Sequence, residues 1–139
     1  EAEIDAAQAM DLPDVIKTLV LVEEVYPKYH NAAEAIDALL TLIEQGTETA
    51  YIYRLLGDLY VKSGLQLSAE ESYQTAIELA AAEPNLEEQT LTYLGLGTLY
   101  QTVNKSEKAK DALEQAQIGA TELGDSDLVS SIEDQLSRP

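Results

Sequence analysis

Apolar residues recur every three or four positions through most of the chain, the spacing that gathers them on one face of a helix. No stretch needs a strand to explain it. Read with its start and stop residues, the pattern predicts helices at about 3–10, 12–26, 31–45, 49–63, 67–82, 86–103, 106–123 and 126–136. Gly46, Gly64, Asn104 and Gly124 stand at the expected ends, and both residue types tolerate a left-handed backbone. Asn31, Asn85 and Ser126 are placed to cap the helices that follow, while Pro84 ends the alanine run at 80–82. Leu128, Val129, Ile132 and Leu136 give the last segment one apolar stripe. Ile4, Ala7 and Met10 are spaced similarly at the start, as in the tail of an earlier helix.

Self-comparison adds a repeat. Tyr53, Leu56, Gly57, Tyr60, Ala69, Tyr73 and Ala76 return forty places later as Tyr93, Leu96, Gly97, Tyr100, Ala109, Leu113 and Ala116, six of seven identical. The gaps of 3, 1, 3, 9, 4 and 3 suit two helices joined by a tight turn, with small residues where they touch. This pattern resembles the tetratricopeptide repeat, in which an aromatic, Leu-Gly and a second aromatic are followed by Ala, aromatic, Ala on the second helix. Two departures stand out: Tyr53 and Tyr93 replace the usual Trp, and the period is 40 where the family has about 34. The extra residues fall between Ala76 and Tyr93, where longer helices absorb them. Leu19, Val22, Glu23, Tyr26, Ala35, Leu39 and Leu42 keep the size pattern without the Gly, as a degenerate copy does.

The resemblance implies an all-α fold, a right-handed superhelical stack of antiparallel helix pairs with a C-terminal capping helix. The expected organisation is a single domain over 1–139: a degenerate repeat at about 16–49, repeats at about 50–84 and 90–123, and a cap at about 126–136. It also implies a concave groove lined by first-helix residues that point away from the Leu-Gly-Tyr positions. These are Tyr51, Arg54, Asp58, Val61 and Lys62 in one unit and Leu91, Leu94, Thr98, Gln101 and Thr102 in the next, with Lys17, Val20 and Glu24 continuing the surface. One subfamily clamps a C-terminal carboxylate with Lys and an Asn four residues on. Arg54 followed by Asp58, and Leu94 followed by Thr98, lack that Asn, so the clamp is not expected. Arg54 has two readings, an intrahelical pair with Asp58 or a contact to a partner's acid. All eight aromatics are tyrosine. Tyr53, Tyr60, Tyr73, Tyr93 and Tyr100 occupy packing positions of the repeat, Tyr29 lies near a turn, and Tyr51 is the aromatic expected on the groove.

Composition narrows the function. Twenty-six acidic against eight basic residues give a formal charge of -18, which disfavours nucleic acid and anionic membrane. The one concentration of basic residues is Lys105, Lys108 and Lys110. No Cys is present, so thiolate catalysis, disulfides and Cys-ligated metals are excluded. His30 is the single histidine, expected exposed in the turn at 27–31. Leu94-Gly95-Leu96-Gly97 lies inside a helical repeat and is no dinucleotide fingerprint. Asp125-Ser126-Asp127 lacks the Glu twelve residues in that a calcium loop needs. Acid pairs such as Glu70-Glu71 and Glu87-Glu88 suit first helical turns, and most of the charge is expected on a solvated face.

The expectation is therefore a non-catalytic interaction module without metal or cofactor, holding a peptide or helix of another protein, with a basic partner segment favoured by the charge. The rival is self-association, or packing within a longer repeat protein. No membrane insertion is expected, since apolar runs such as 19–22 are far too short. The compartment is not readable, with the cytoplasm the working expectation. The opening at Glu1 suits a processed protein or a piece of a larger one.

Overall fold

The computed structural model describes residues 32–82 and 84–138. Among these residues every regular element is a helix and none is a strand. Six helices follow in order: α1 (Ala32–Glu44), α2 (Ala50–Lys62), α3 (Gln66–Ala82), α4 (Leu86–Thr102), α5 (Ser106–Leu123) and α6 (Ser126–Leu136). Each lies within a residue or so of its expected span. The expected helices at 3–10 and 12–26, and with them Lys17, Val20, Glu24, Tyr29 and His30, lie outside the described residues.

The chain divides into two compact units, residues 1–48 and 49–139. In the first, α1 buries Ala35, Leu39 and Leu42, a stripe at helical spacing. In the second, each helix packs on the next from α2 to α6, and α2 also touches α4.

The helix ends follow from residue type. α2 stops where Gly64 turns left-handed at φ +78, with Gly64 N–H donating to Val61 O and Leu65 N–H to Tyr60 O. These bonds satisfy carbonyls that the helix leaves unpaired. α4 ends the same way on Asn104 at φ +63, whose side chain tolerates that region, and Lys105 N–H donates to Tyr100 O at 2.8 Å. Gly46 and Gly124 repeat the motif after α1 and α5. At the starts, Thr49 accepts from Ile52 N–H and Asn85 from Glu88 N–H. Ser126 was the expected cap of α6, but Asp125 holds that place, accepting from Leu128 N–H at 3.0 Å. The left-handed Gly124 delivers Asp125 directly to the helix start, so Ser126 becomes its first residue.

The repeated residues are interior contacts. Leu56, Gly57 and Ala69 are buried, as are Leu96, Gly97 and Ala109 forty places on. Gly57 on α2 and Gly95 on α4 both face the ring of Tyr73 on α3, so closely that a Cβ on Gly95 would stand 2.8 Å from its Cζ. Gly97 meets Leu113 on α5 in the same manner, with 2.6 Å to Leu113 Cγ. Tyr73 joins Leu96, Leu99 and Tyr100 in one core cluster. Leu113, Ala116, Ala120 and Ile132 form a second, and Tyr93 packs against both. The family-like aromatic positions therefore split: Tyr73 and Tyr100 are buried, whereas Tyr53, Tyr60 and Tyr93 are half-buried.

The longer period has a local cause. Three residues of α2 precede Tyr53, but seven residues of α4 precede Tyr93, one helical turn more. That turn carries Glu88, and beside it Thr90, whose side chain fills the space left by Gly119 on α5. The buried hydroxyls of Thr90 and Thr92 donate to Leu86 O and Glu88 O within α4.

Gly57→Ala should cost about 1–3 kcal/mol, the usual range for overpacking. The Tyr73 ring has little room to yield, because Gly95 also approaches it at Cε1 and Cζ. Gly97→Ala should cost a similar amount, since its Cβ would stand 2.6 Å from Leu113 Cγ, a branch point that turning the terminal methyls does not move. Urea unfolding of both variants checks this, and a loss below about 0.5 kcal/mol in either would mean that the neighbouring side chain yields.

Candidate functional site

The first-helix residues expected to line a groove meet two different fates, set by α4 for one set and by α6 for the other. Arg54 projects from α2 to the extra turn of α4 and grips Glu88 with two hydrogen bonds, Nε to Oε2 at 2.6 Å and Nη2 to Oε1 at 3.2 Å. Its remaining Nη1 lies 3.6 Å from Asp58 Oδ2, and its guanidinium stands 5.3 Å from the centre of the Tyr51 ring. Asp58 in turn accepts a hydrogen bond from the Tyr73 hydroxyl at 2.5 Å. One network thus runs from Tyr73 on α3 through Asp58 and Arg54 on α2 to Glu88 on α4. Of the two readings of Arg54, the intrahelical pair is present, and the stronger partner is Glu88, 34 residues away. Glu88 belongs to the acid pairs expected in a solvated first turn; the structure buries it instead, while Glu87 stays exposed.

The electrostatics follow from this crowding. Burial works against the charge of Arg54, but the hydrogen bond and charge of Glu88, with Asp58 behind them, outweigh it and raise its pKa. Burial is also the largest influence on Asp58 and lifts its carboxyl above the ordinary range, although Tyr73 and Arg54 pull the other way. Burial, then the nearby charge of Asp58, drives the Tyr73 phenol well above its usual value.

The second set faces α6. Gln101 Nε2 donates to Gln135 O at 3.0 Å, and Gln135 Nε2 returns bonds to Thr98 Oγ1 and Gln101 Oε1. Leu94 packs against the cluster around Leu113 and Ile132. Val61 packs against the other core cluster. Lys62 and Thr102 remain exposed, and Tyr51 and Leu91 are half-buried. Beside the Gln101–Gln135 ladder opens a cleft of about 520 Å³ between α4, α5 and α6. Its lining includes the buried Ala109 and Leu113 and the exposed Lys110 and Arg138. Those cations each have an acid four residues away at 3.9 Å, Glu114 and Asp134, on exposed ground where such pairs contribute little.

Sequence reasoning missed Glu88, Gln135 and Gly95. Both pairs, Arg54 with Glu88 and Gln101 with Gln135, lie 34 residues apart but at different places in the forty-residue repeat, so no repeated pattern pointed to them. Among the described residues no group of three or more His, Cys, Asp or Glu is arranged to hold a metal ion, and no helix is long and apolar enough to cross a membrane. No family model matches the chain, and no curated protein matches it in sequence.

Two outcomes are expected here. Arg54→Met strands Glu88 and should cost about 3 kcal/mol, whereas the double variant Arg54→Met/Glu88→Met should recover most of it. Urea unfolding of the four-member cycle measures the coupling. For Asp58, a raised folded pKa means that its protonated form favours the fold. Its contribution is full below about pH 4, the unfolded value, and is lost as the pH rises through the higher folded value. The stability of the wild type minus that of Asp58→Asn should fall with rising pH across that window; a rising difference would give the leading role to Arg54 and Tyr73.

Proposed function

We propose that the chain is a non-catalytic interaction module of the tetratricopeptide type, a stack of antiparallel helix pairs whose first-helix face receives a segment of another protein. The observation that carries this reading is the recurrence of one packing unit. Gly57 under Tyr73 and Gly97 under Leu113 repeat the same first-to-second-helix contact forty residues apart, while Arg54–Glu88 ties α2 to α4 and Gln101–Gln135 ties α4 to α6. Elements that touch both their neighbour and the next but one are what a solenoid requires. The groove offers Tyr51, Leu91, Lys62 and Thr102 along the first helices, together with the cleft beside Gln135. An overall charge of -18 favours a partner with a basic segment, attracted at long range and held by contact once docked.

The test uses the whole chain and a fluorescein-labelled amphipathic peptide with leucines on one face and lysines on the other. Binding should weaken steeply with salt, and Tyr51→Ala and Thr102→Arg should each reduce affinity about tenfold, near 1.4 kcal/mol. Helicity should stay unchanged in both and melting in Thr102→Arg, with Tyr51→Ala melting a few degrees lower for the lost contact with Arg54. Equal affinity in both variants would retire the groove. A concentration-dependent dimer in sedimentation, abolished by the same substitutions, would favour self-assembly.

A further inference from the structure

A different surface lies at the edge that carries the α2–α3 and α4–α5 turns. Leu67, in the first turn of α3, is 77% exposed, and Leu65 just before it is 50% exposed. Leu67 borders a cleft of about 200 Å³ with Leu99, Tyr100, Val103 and Lys105. Two cations converge on the same aromatic: Lys108 Nζ lies 5.6 Å from the centre of the Tyr100 ring and Lys105 Nζ 6.0 Å. Neither lysine has an acidic partner within 4 Å among the described residues. The carboxylate in the cleft lining, Glu70, faces the Tyr100 hydroxyl, whose pKa burial and Glu70 together push up to about 12.

This combination is unusual for this chain. A surface dominated by 26 acidic residues leaves two unpaired ammonium groups beside an uncovered leucine and an apolar notch. A Tyr ring below the lysines favours keeping them there, since cation–π attraction holds an ammonium over an aromatic face. We infer that this turn edge docks a short acidic segment of a partner protein, one bulky apolar side chain entering the notch beside Leu67 and its carboxylates meeting Lys105 and Lys108. The occupant is set by charge complementarity. A second copy of the chain brings a net charge of -18 against another -18, and the repulsion opposes such a pairing. A short segment brings only its own few charges, and at physiological ionic strength a screening length of about 8 Å shields them from distant carboxylates but not from lysines in contact. The surface is separate from the first-helix groove and does not depend on it.

The probe is a fluorescein-labelled, C-terminally amidated peptide of aspartates and glutamates with one leucine and one phenylalanine, titrated with the whole chain at physiological salt. Saturable binding is expected. Leu67→Asp and, separately, Lys105→Glu/Lys108→Glu should each weaken it about tenfold or more. Replacing the leucine and phenylalanine of the probe with alanine should weaken it as much, and Tyr51→Ala should leave it unchanged. Leu67 is so exposed that its variant should keep the wild-type circular dichroism spectrum and melting temperature. No binding of the probe, or equal binding by the Leu67 and lysine variants, overturns the proposal. So does a concentration-dependent dimer that Leu67→Asp abolishes, because a second copy then covers the edge.

Discussion

The second unit is built around the seat of one ring. Tyr73 lies on α3 between Gly57 of α2 and Gly95 of α4, and neither place has room for a Cβ. Its hydroxyl bonds Asp58, Asp58 faces Arg54, and Arg54 grips Glu88, so the position of one phenol on α3 is transmitted to the start of α4. The corresponding place in the next pair holds Leu113, which rests on Gly97. Tyr73 against Leu113 is the single mismatch between the two copies of the repeat, and it explains the additional glycine. A ring that reaches across to the neighbouring first helix needs space on both sides; a leucine needs it on one.

The extra turn at the start of α4 belongs to the same design. Without it, Arg54 would have no carboxylate opposite, and a half-buried guanidinium without a partner is costly. With it, the repeat lengthens to 40 residues, while Arg54 meets Glu88 across the α2–α4 interface 34 residues away. The two numbers describe different things. The first is the distance between like residues; the second is the distance between residues that meet across a helix interface.

That distinction also marks what was legible in the sequence. Helix ends were readable because Gly46, Gly64, Asn104 and Gly124 fill backbone places that few other residues tolerate. The pairing of α2 with α3 and of α4 with α5 was readable because Gly57, Ala69, Gly97 and Ala109 are small where helices cross. The cap of α6 was off by one residue because Asp125 and Ser126 are both competent caps, and only the turn at Gly124 decides between them. The environment of the groove residues was not readable at all. Whether Arg54 or Gln101 meets solvent depends on which residue the next helix but one places opposite, and comparing like residues does not show which unlike residues meet. Lys105 and Lys108 showed themselves as a basic run, but their convergence on Tyr100 needs the turn on Asn104 to bring the start of α5 back beside α4.

Stacking helices in this way redistributes the chemistry of the surface. Polar residues on the first helices are drawn into links such as Arg54 with Glu88 and Gln101 with Gln135, which position one helix on the next and leave less of that face for a ligand. The turn edges carry no such obligation. Their backbone groups are already satisfied by the left-handed endings at Gly64 and Asn104, so side chains there are free of structural duty. Leu65 and Leu67 contribute little to the core from such a position, and burial gives no reason for apolar residues at those two places. An exposed leucine on its own is ordinary on a protein surface. Leu67 lines a notch with Lys105 and Glu70, and Lys105 and Lys108 both lie over Tyr100, so cations and uncovered apolar surface meet on an acidic chain, the features that recognition of an acidic, apolar segment would use.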